Sequence, residues 1–393
     1  MTTRIRIAIV GCGDALHRHY LPPLEGMADR VAIAGFSDAR LDAARHAADV
    51  VRAWSPDAAA FDDLATMLTT VRPDAVFNLT PAPLHAAVNA ECLAAGAHVY
   101  SEKPLATSIA EADGLIAEAR KLGRLLLCAP ASAVTREVRW LGGVIASGRL
   151  GRPTLATAWI GSMGPAAWAE YTGDPTVFYG PTVGPIRDIG VYRLHELTSL
   201  LGPVRKVAAM GSIAIPKRTI EAGTRAGGTV TVTTPDHVLV HLEFANGALG
   251  QLLASYALPA SRAPWLEIHL TDGTISLSGD PYSTDDPADV YVRSSSGAAA
   301  AAEAADASAG LGRLAAGWND RLSPPAPAET PLIGRGPEHF IACVEGAETP
   351  VLTAEHARHV LEVVLRVYES IESGRAVELT TTFDPPAYAP PAA

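Results

Sequence analysis

The chain has no apolar run near the roughly 20 residues that cross a bilayer. A strand-like alternation begins at Ile5, leaving no room for a leader before it, so neither a membrane span nor a secretory signal is expected. Cysteine is scarce. Cys12, Cys92, Cys128 and Cys343 stand far apart with no CxxC pair, which argues against a disulfide framework and against a zinc ribbon. A cytoplasmic, reducing location fits best. Positive charge is short as well: 31 Lys plus Arg face 42 Asp plus Glu, a net charge of −11. No basic cluster offsets it, so no nucleic-acid partner is expected. There is no GxSxG elbow for a triad hydrolase and no internal repeat. What is present is the composition of a folded protein, 48% apolar and 19% charged. At 393 residues the chain is long enough for two or three domains.

From Ile5 to about Pro130 short apolar runs alternate with longer helical patterns, the grammar of βαβ units in a parallel sheet. Strands are expected at 5–11, 31–38, 74–80, 98–102 and 124–129, nearly all apolar because helices cover both faces. Helices are expected between them at 14–27, 39–50, 64–71, 85–95 and 109–122, the last two followed by Gly96 and Gly123 as left-handed caps. Beyond Pro130 the pattern changes to a helix over 134–147, a strand over 154–160, a helix over 187–201 and period-two segments from Val204 to Leu277. Val238, Val240, Leu242 and Phe244 alternate with His237, His241 and Glu243 on the other face, as in a sheet covered on one side. The reading is a nucleotide-binding α/β domain over 1–130 and an α+β domain with a large, mostly antiparallel open sheet over 131–393. A low-complexity insertion or long loop is expected over about 280–331, two helices over 337–345 and 353–373, and a disordered proline-rich tail over 380–393.

Gly11-Cys12-Gly13-Asp14 ends the first strand and opens the first helix, so amides at a helix N-terminus can hold a pyrophosphate. Leu16 stands where a third glycine is usual, a position that serves packing more than phosphate contact. Cys12 reads as a small packing residue of the same loop. Asp38 closes the second strand, where a carboxylate accepts ribose hydroxyls and repels a 2′-phosphate, which favours NAD. Arg40 close by leaves NADP open. A glycine turn that binds no nucleotide is the plain alternative.

The segment Asn78 to His85, with Thr80, Pro81 and His85, closes the 74–80 strand, and Ser101 to Leu105, with Glu102 and Lys103, closes the 98–102 strand, at carboxyl ends where open α/β sheets bind ligands. These residues are therefore placed at the cofactor. A lysine there suits polarising or protonating an alcohol or carbonyl oxygen beside a nicotinamide, and Glu102 and Pro104 would fix the backbone that aims it. A surface charge is the alternative.

At this point Ala94-Ala95-Gly96-Ala97-His98-Val99-Tyr100-Ser101-Glu102-Lys103-Pro104-Leu105-Ala106 resembles the AGKHVxxEKPLA block of the Gfo/Idh/MocA oxidoreductases. The segment Phe178 to Tyr192 is similar to that family's glycine-rich loop and D-x-G-x-[HY] helix. The resemblance spans most of the chain and implies Lys103 as the catalytic lysine. Tyr192 stands where inositol-dehydrogenase-like members carry histidine, which resembles the glucose-fructose oxidoreductase and dihydrodiol dehydrogenase branch. Tyr192 and Lys103 would then share the substrate hydroxyl's proton. Asp188 and His195 lie one helical turn either side of Tyr192. Asp188 is assigned to substrate hydroxyl binding or to orienting Lys103, with a helix cap as the alternative. His195 is assigned to substrate contact or a proton relay, with a buried structural histidine as the alternative. Trp168, Tyr171 and Tyr179 precede this helix, where rings could stack on sugar C–H faces or simply pack the loop.

The resemblance implies hydride transfer between a nicotinamide and a secondary hydroxyl or ketone of a sugar, glycoside, cyclitol or similar polyol. It also implies a homodimer or homotetramer formed through the second domain's sheet. Competing readings are a nucleotide-binding sensor without turnover, a self-recycling enzyme that keeps its cofactor, and a glycoside 3-oxidising enzyme. No metal is expected, since only His356 and His359 share a helical face and no further ligands accompany them.

Overall fold

The computed structural model describes residues 4–169, 171, 173–181, 183–278, 288–292, 320–322 and 334–389. Contacts divide them into two compact units. The first contains the described residues through Thr135, together with 334–365 and 381–384. The second takes the remainder.

The first unit is built on six parallel strands: β1 (Ile5–Val10), β2 (Val31–Ser37), β3 (Ala59–Phe61), β4 (Ala75–Asn78), β5 (His98–Ser101) and β6 (Leu126–Cys128). Their order is β3-β2-β1-β4-β5-β6. The chain reverses its winding beside β1, which puts a crevice at the carboxyl ends of β1 and β4. The apolar runs have a direct cause in β1. Ile7 and Ile9 enter one hydrophobic cluster while Ala8 and Val10 enter another on the opposite face, so no position is left for a polar residue. The helices are α1 (Leu21–Glu25), α2 (Leu41–Val50), α3 (Leu64–Val71), α4 (His85–Ala94) and α5 (Ile109–Leu122). Ser108 and Glu111 form a reciprocal capping box at the start of α5, and Gly123 at φ 63° ends it. β3 is absent from the sequence expectation, because three residues carry too little alternation to register.

The second unit begins with α6 (Arg136–Ala146) and includes α7 (Val191–Leu201), which is buried over nearly its whole length. Its main sheet has nine strands in the order β16-β15-β14-β13-β7-β12-β11-β8-β17. These are β7 (Pro153–Gly161), β8 (Val204–Ser212), β11 (His237–Phe244), β12 (Leu249–Ser255), β13 (Leu266–Leu270), β14 (Gly273–Leu277), β15 (Ala288–Val292), β16 (Asp320–Leu322) and β17 (Val377–Glu378). Among the described residues only the β12–β7 pair is parallel. A separate hairpin joins β9 (Lys217–Thr219) to β10 (Thr229–Thr231). Val238, Val240, Leu242 and Phe244 are buried while Leu239 and His241 face outward, so the expected one-sided sheet is present.

The segment read as an insertion or loop over about 280–331 supplies β15 and β16 to the sheet edge, and its other residues lie outside those described. Ala288–Val292 is short and alanine-rich surroundings masked its strand character. The tail expected to be disordered is ordered through Ala389. After α8 (Arg335–Val344) and α9 (Ala354–Ser373), Phe383 stacks on His356 with ring centroids 4.2 Å apart. The Thr381 amide donates to Glu362 Oε2 at 2.7 Å, and Arg358 donates to the Thr382 carbonyl at 2.9 Å. Tyr388 fills the space beside Gly142, where any Cβ would fall 2.0 Å from its ring. Proline-rich composition hid two aromatic anchors, and burial of those rings offsets the entropy of ordering the segment.

Candidate functional site

In the first unit the glycine turn is set by backbone contact. Gly11 has φ 92°, and a Cβ there would sit 2.7 Å from the Leu79 carbonyl carbon and oxygen, so no other residue fits. Gly13 differs, because a Cβ there would meet no atom within 4 Å. The fold does not require that glycine, and its bare backbone suits close approach by a phosphate. The Cys12 amide donates to Asp38 Oδ2 at 2.8 Å, and Asp38 Oδ1 accepts the Arg40 amide at 2.9 Å. Asp38 thus ties the end of β2 to the turn. The Cys12 side chain is buried, which with the Asp38 charge pushes its thiol up to about 12, so it packs and does not react. Asp14 pairs with Arg18 at 2.9 Å, both well exposed, and the Arg40 side chain is also exposed. The first helix runs from Asp14 to Glu25 with a π turn, Leu16–Tyr20, inside it before α1.

At the ends of β4 and β5 a buried polar cluster joins the two loops. Asn78 donates to Asn89 at 2.8 Å, Asn89 donates to Ser101 at 3.0 Å, and Asn78 Oδ1 accepts the Thr80 hydroxyl at 2.6 Å. The His85 ring bridges the carbonyls of Thr80 (2.7 Å) and Pro104 (2.6 Å). His85 is 1% exposed, so its place is beneath the loops, tying the Pro81 turn to the Lys103 turn. Lys103 is half-buried and joined to Pro104 by a cis peptide. Its amide donates to Glu102 Oε2 at 3.0 Å, while Glu102 Oε1 accepts the buried Tyr20 hydroxyl. Tyr20, four residues into an ordinary apolar helix pattern, carries no sequence signal that would single it out.

In the second unit the helix expected from Arg187 starts instead as a π turn, Ile186–Gly190, that leads into α7. Gly190 explains the close packing: a Cβ there would stand 2.8 Å from Ile186 Cδ1 and 3.1 Å from Ala254 Cβ of β12. Such wide turns recur at functional sites. Asp188 lies in the π turn, half-buried, and its Oδ2 accepts the Tyr256 hydroxyl at 2.6 Å. Tyr192 is half-buried in the first turn of α7, and His195 is buried at 3% exposure. The loop before Asp188 is strapped by Tyr368, which donates to the Val183 carbonyl at 2.7 Å and lies under the Arg187 guanidinium at 4.8 Å.

The aromatic residues divide. Trp168 is half-buried, donates to Ser162 Oγ at 3.0 Å and stands 6.4 Å from Phe178, which packs edge-on against Tyr171. Tyr179, expected against substrate, has no exposed surface. Its hydroxyl accepts the Ala166 amide at 2.9 Å and its ring meets Tyr256 and Arg218. The ring thus packs within the unit's own loop.

The parallel sheet with its switch point, the glycine turn and the aspartate after β2 define a dinucleotide-binding α/β fold. The model of the oxidoreductase family with NAD-binding Rossmann fold matches residues 5–129, and that of the GFO/IDH/MocA C-terminal domain matches 138–276. The chain belongs to the Gfo/Idh/MocA oxidoreductase family, and its first unit matches that family's NAD-binding Rossmann domain. It is 26% identical to the D-glucoside 3-dehydrogenase of Escherichia coli over 95% of this chain and 97% of that one. It is 25% identical to the D-apiose dehydrogenase of Paraburkholderia graminis over 96% and 90%. Among solved structures, the WlbA dehydrogenase of Bordetella pertussis in complex with NADH and UDP-GlcNAcA shares the fold, with a TM-score of 0.70, 18% identity and coverage of 97% and 99%.

Proposed function

We infer that this chain moves hydride between nicotinamide and a secondary carbinol or ketone of a sugar, glycoside or cyclitol. The observation that carries the reading is the half-buried Lys103, held on a braced turn at the carboxyl end of β5 in a sheet whose glycine turn fits a dinucleotide. Full-length likeness to enzymes named for D-glucoside and D-apiose supports the substrate class. When bound, the nicotinamide supplies a hydride acceptor or donor. The turn at Gly11 and Gly13 would hold the pyrophosphate, and Asp38 would accept ribose hydroxyls while keeping the turn closed. In the first unit Lys103 is assigned to polarise a substrate oxygen, and in the second Tyr192 is assigned to hold or return a substrate hydroxyl's proton and the Asp188 carboxylate to accept hydroxyl hydrogen bonds from the polyol. Trp168 and His195 are assigned to the substrate side.

The test is the absorbance of reduced nicotinamide when the purified protein meets NAD or NADP with sugars, glycosides and cyclitols. Reduction with one cofactor and one substrate group supports the reading. Absence of net reduction across the panel, with cofactor retained on the protein, would replace it with the sensor or the self-recycling enzyme.

The open face of the nine-stranded sheet supports pairing with a second copy. Trp159, Leu253, Leu239 and Met210 stand directly opposite one another across β7, β12, β11 and β8. Met210 is 76% exposed and Leu239 38%, an apolar row of the kind that marks an interface. Light scattering on a Leu239→Glu, Met210→Glu double variant should report monomer where the parent reports dimer or tetramer. An unchanged mass would remove this face from the assembly. The four buried, unbridged cysteines fit a cytoplasmic location.

A further inference from the structure

Tyr256 follows the last residue of β12 and is completely buried. Its hydroxyl donates to Asp188 Oδ2 at 2.6 Å. The phenol is the donor of that bond and the carboxylate oxygen its acceptor. Burial and the Asp188 charge hold the phenol well above its ordinary range, so it keeps its proton. The ring that carries the hydroxyl is fixed from several sides. Its edge meets Tyr179 at 5.6 Å, and its amide donates to the Asp236 carbonyl at 2.8 Å. Asp236 in turn is buried and anchored by Arg218 at 2.6 Å and by the amides of Ala214 and Ile215.

Packing alone does not explain the hydroxyl. Phenylalanine would fill the same volume against Tyr179 and Gly164, and burying a phenol costs free energy unless its hydrogen bond is made. The partner on which that bond falls is the carboxylate in the π turn that leads into Tyr192. A hydrogen bond to a charged oxygen at this distance is among the stronger kinds and holds orientation as well as contact.

We propose that Tyr256 is the positioning residue for Asp188: its hydroxyl holds one carboxylate oxygen so that the carboxylate meets a substrate hydroxyl in a single orientation. The proposal rests on the reading of Asp188 as a substrate-side group. Tyr256 touches neither substrate nor cofactor in this account; it acts through Asp188 alone.

The experiment compares Tyr256→Phe, Asp188→Asn and the double variant on the sugar or glycoside that the parent turns over. Rates are normalised to sites that bind NADH, so that loss of folded protein does not count as loss of function. Tyr256→Phe should lower kcat/KM by about 10- to 100-fold, the scale of one hydrogen bond to a charged group. The fall should lie mainly in kcat, with NADH affinity at the parent value. The double variant should be no worse than Asp188→Asn, since the hydroxyl has nothing to position once the carboxylate is gone. A Tyr256→Phe enzyme within twofold of the parent, or losses that simply multiply in the double variant, would overturn the proposal while leaving Asp188 in place. Parent activity in Asp188→Asn would overturn the reading of Asp188 and the proposal with it.

Discussion

The two units hold their candidate reactive groups in different ways. In the first, Tyr20 donates to Glu102, and Glu102 accepts the main-chain amide of Lys103, so the brace acts on the backbone. In the second, Tyr256 donates straight to the Asp188 side chain. The difference follows from side-chain length. A lysine has four methylenes and finds its target by reach, so the fold need only fix where the stem begins. An aspartate has one, and its use depends on which way the carboxylate turns. Both units also carry a π turn in the relevant helix, Leu16–Tyr20 and Ile186–Gly190, placing an extra residue where backbone and side chains converge.

The comparison is broken most severely by removing the lysine. Lys103→Ala should cut turnover by about 10² to 10⁴-fold, with NADH affinity nearly unchanged by fluorescence titration. Equal loss of both would mean that the turn had collapsed and that the lysine is structural.

Acid separates the units next. His359 in the first unit is buried against the tail, its Nδ1 3.0 Å from the Thr381 hydroxyl, and burial pushes it down to about 4. The folded state therefore keeps the ring neutral while the unfolded chain takes a proton near the ordinary 6.5. Stability should fall as pH drops from about 6.5 towards 4, by about 3 kcal/mol for this group at full extent. Denaturant midpoints at neutral and acid pH measure it. His359→Gln should flatten that dependence, and an equally steep slope in the variant would assign the acid loss elsewhere.

The glycine pair gives a smaller and sharper contrast. Gly11→Ala should cost about 1–3 kcal/mol in stability because of its positive φ and the backbone it would strike. Gly13→Ala should leave the melting temperature alone and weaken NADH binding. Matching effects at both positions would show that Gly13 serves the fold and not a ligand.

Smallest of all, Tyr20→Phe should lower kcat by less than about tenfold, below the loss from Tyr256→Phe, because it loosens a main-chain brace that the Asn78, His85 and Asn89 cluster also supports. A larger loss at Tyr20 would reverse the contrast between the units.

The first unit was the more legible of the two. Its strands read as continuous apolar runs because residues of both parities are buried, and α3 and α5 fall on the ranges expected of them. β3 and the tail were not legible. Three residues give no period, and a proline-rich segment looks unfolded until Phe383 and Tyr388 are seen to be covered. Within the candidate site, Lys103, Asp38 and the glycine turn stood out by residue type at a strand end. Their partners did not: Tyr20, Tyr256 and Tyr368 look like any core aromatic.

Composition and period therefore determined the class of the sheet, the place of the glycine turn and a lysine, Lys103, at a strand end, while Asp188 and Tyr192 were picked out by family resemblance. These are local properties, written over a few consecutive residues. Tertiary structure alone decided that Tyr179 is buried packing and that Tyr256, 68 positions from Asp188, is its hydrogen-bond partner. It also set Trp159, Leu253, Leu239 and Met210 in one open row. The reason is that a hydrogen bond and a buried ring depend on what the rest of the chain brings to them, and sequence spacing carries no record of that.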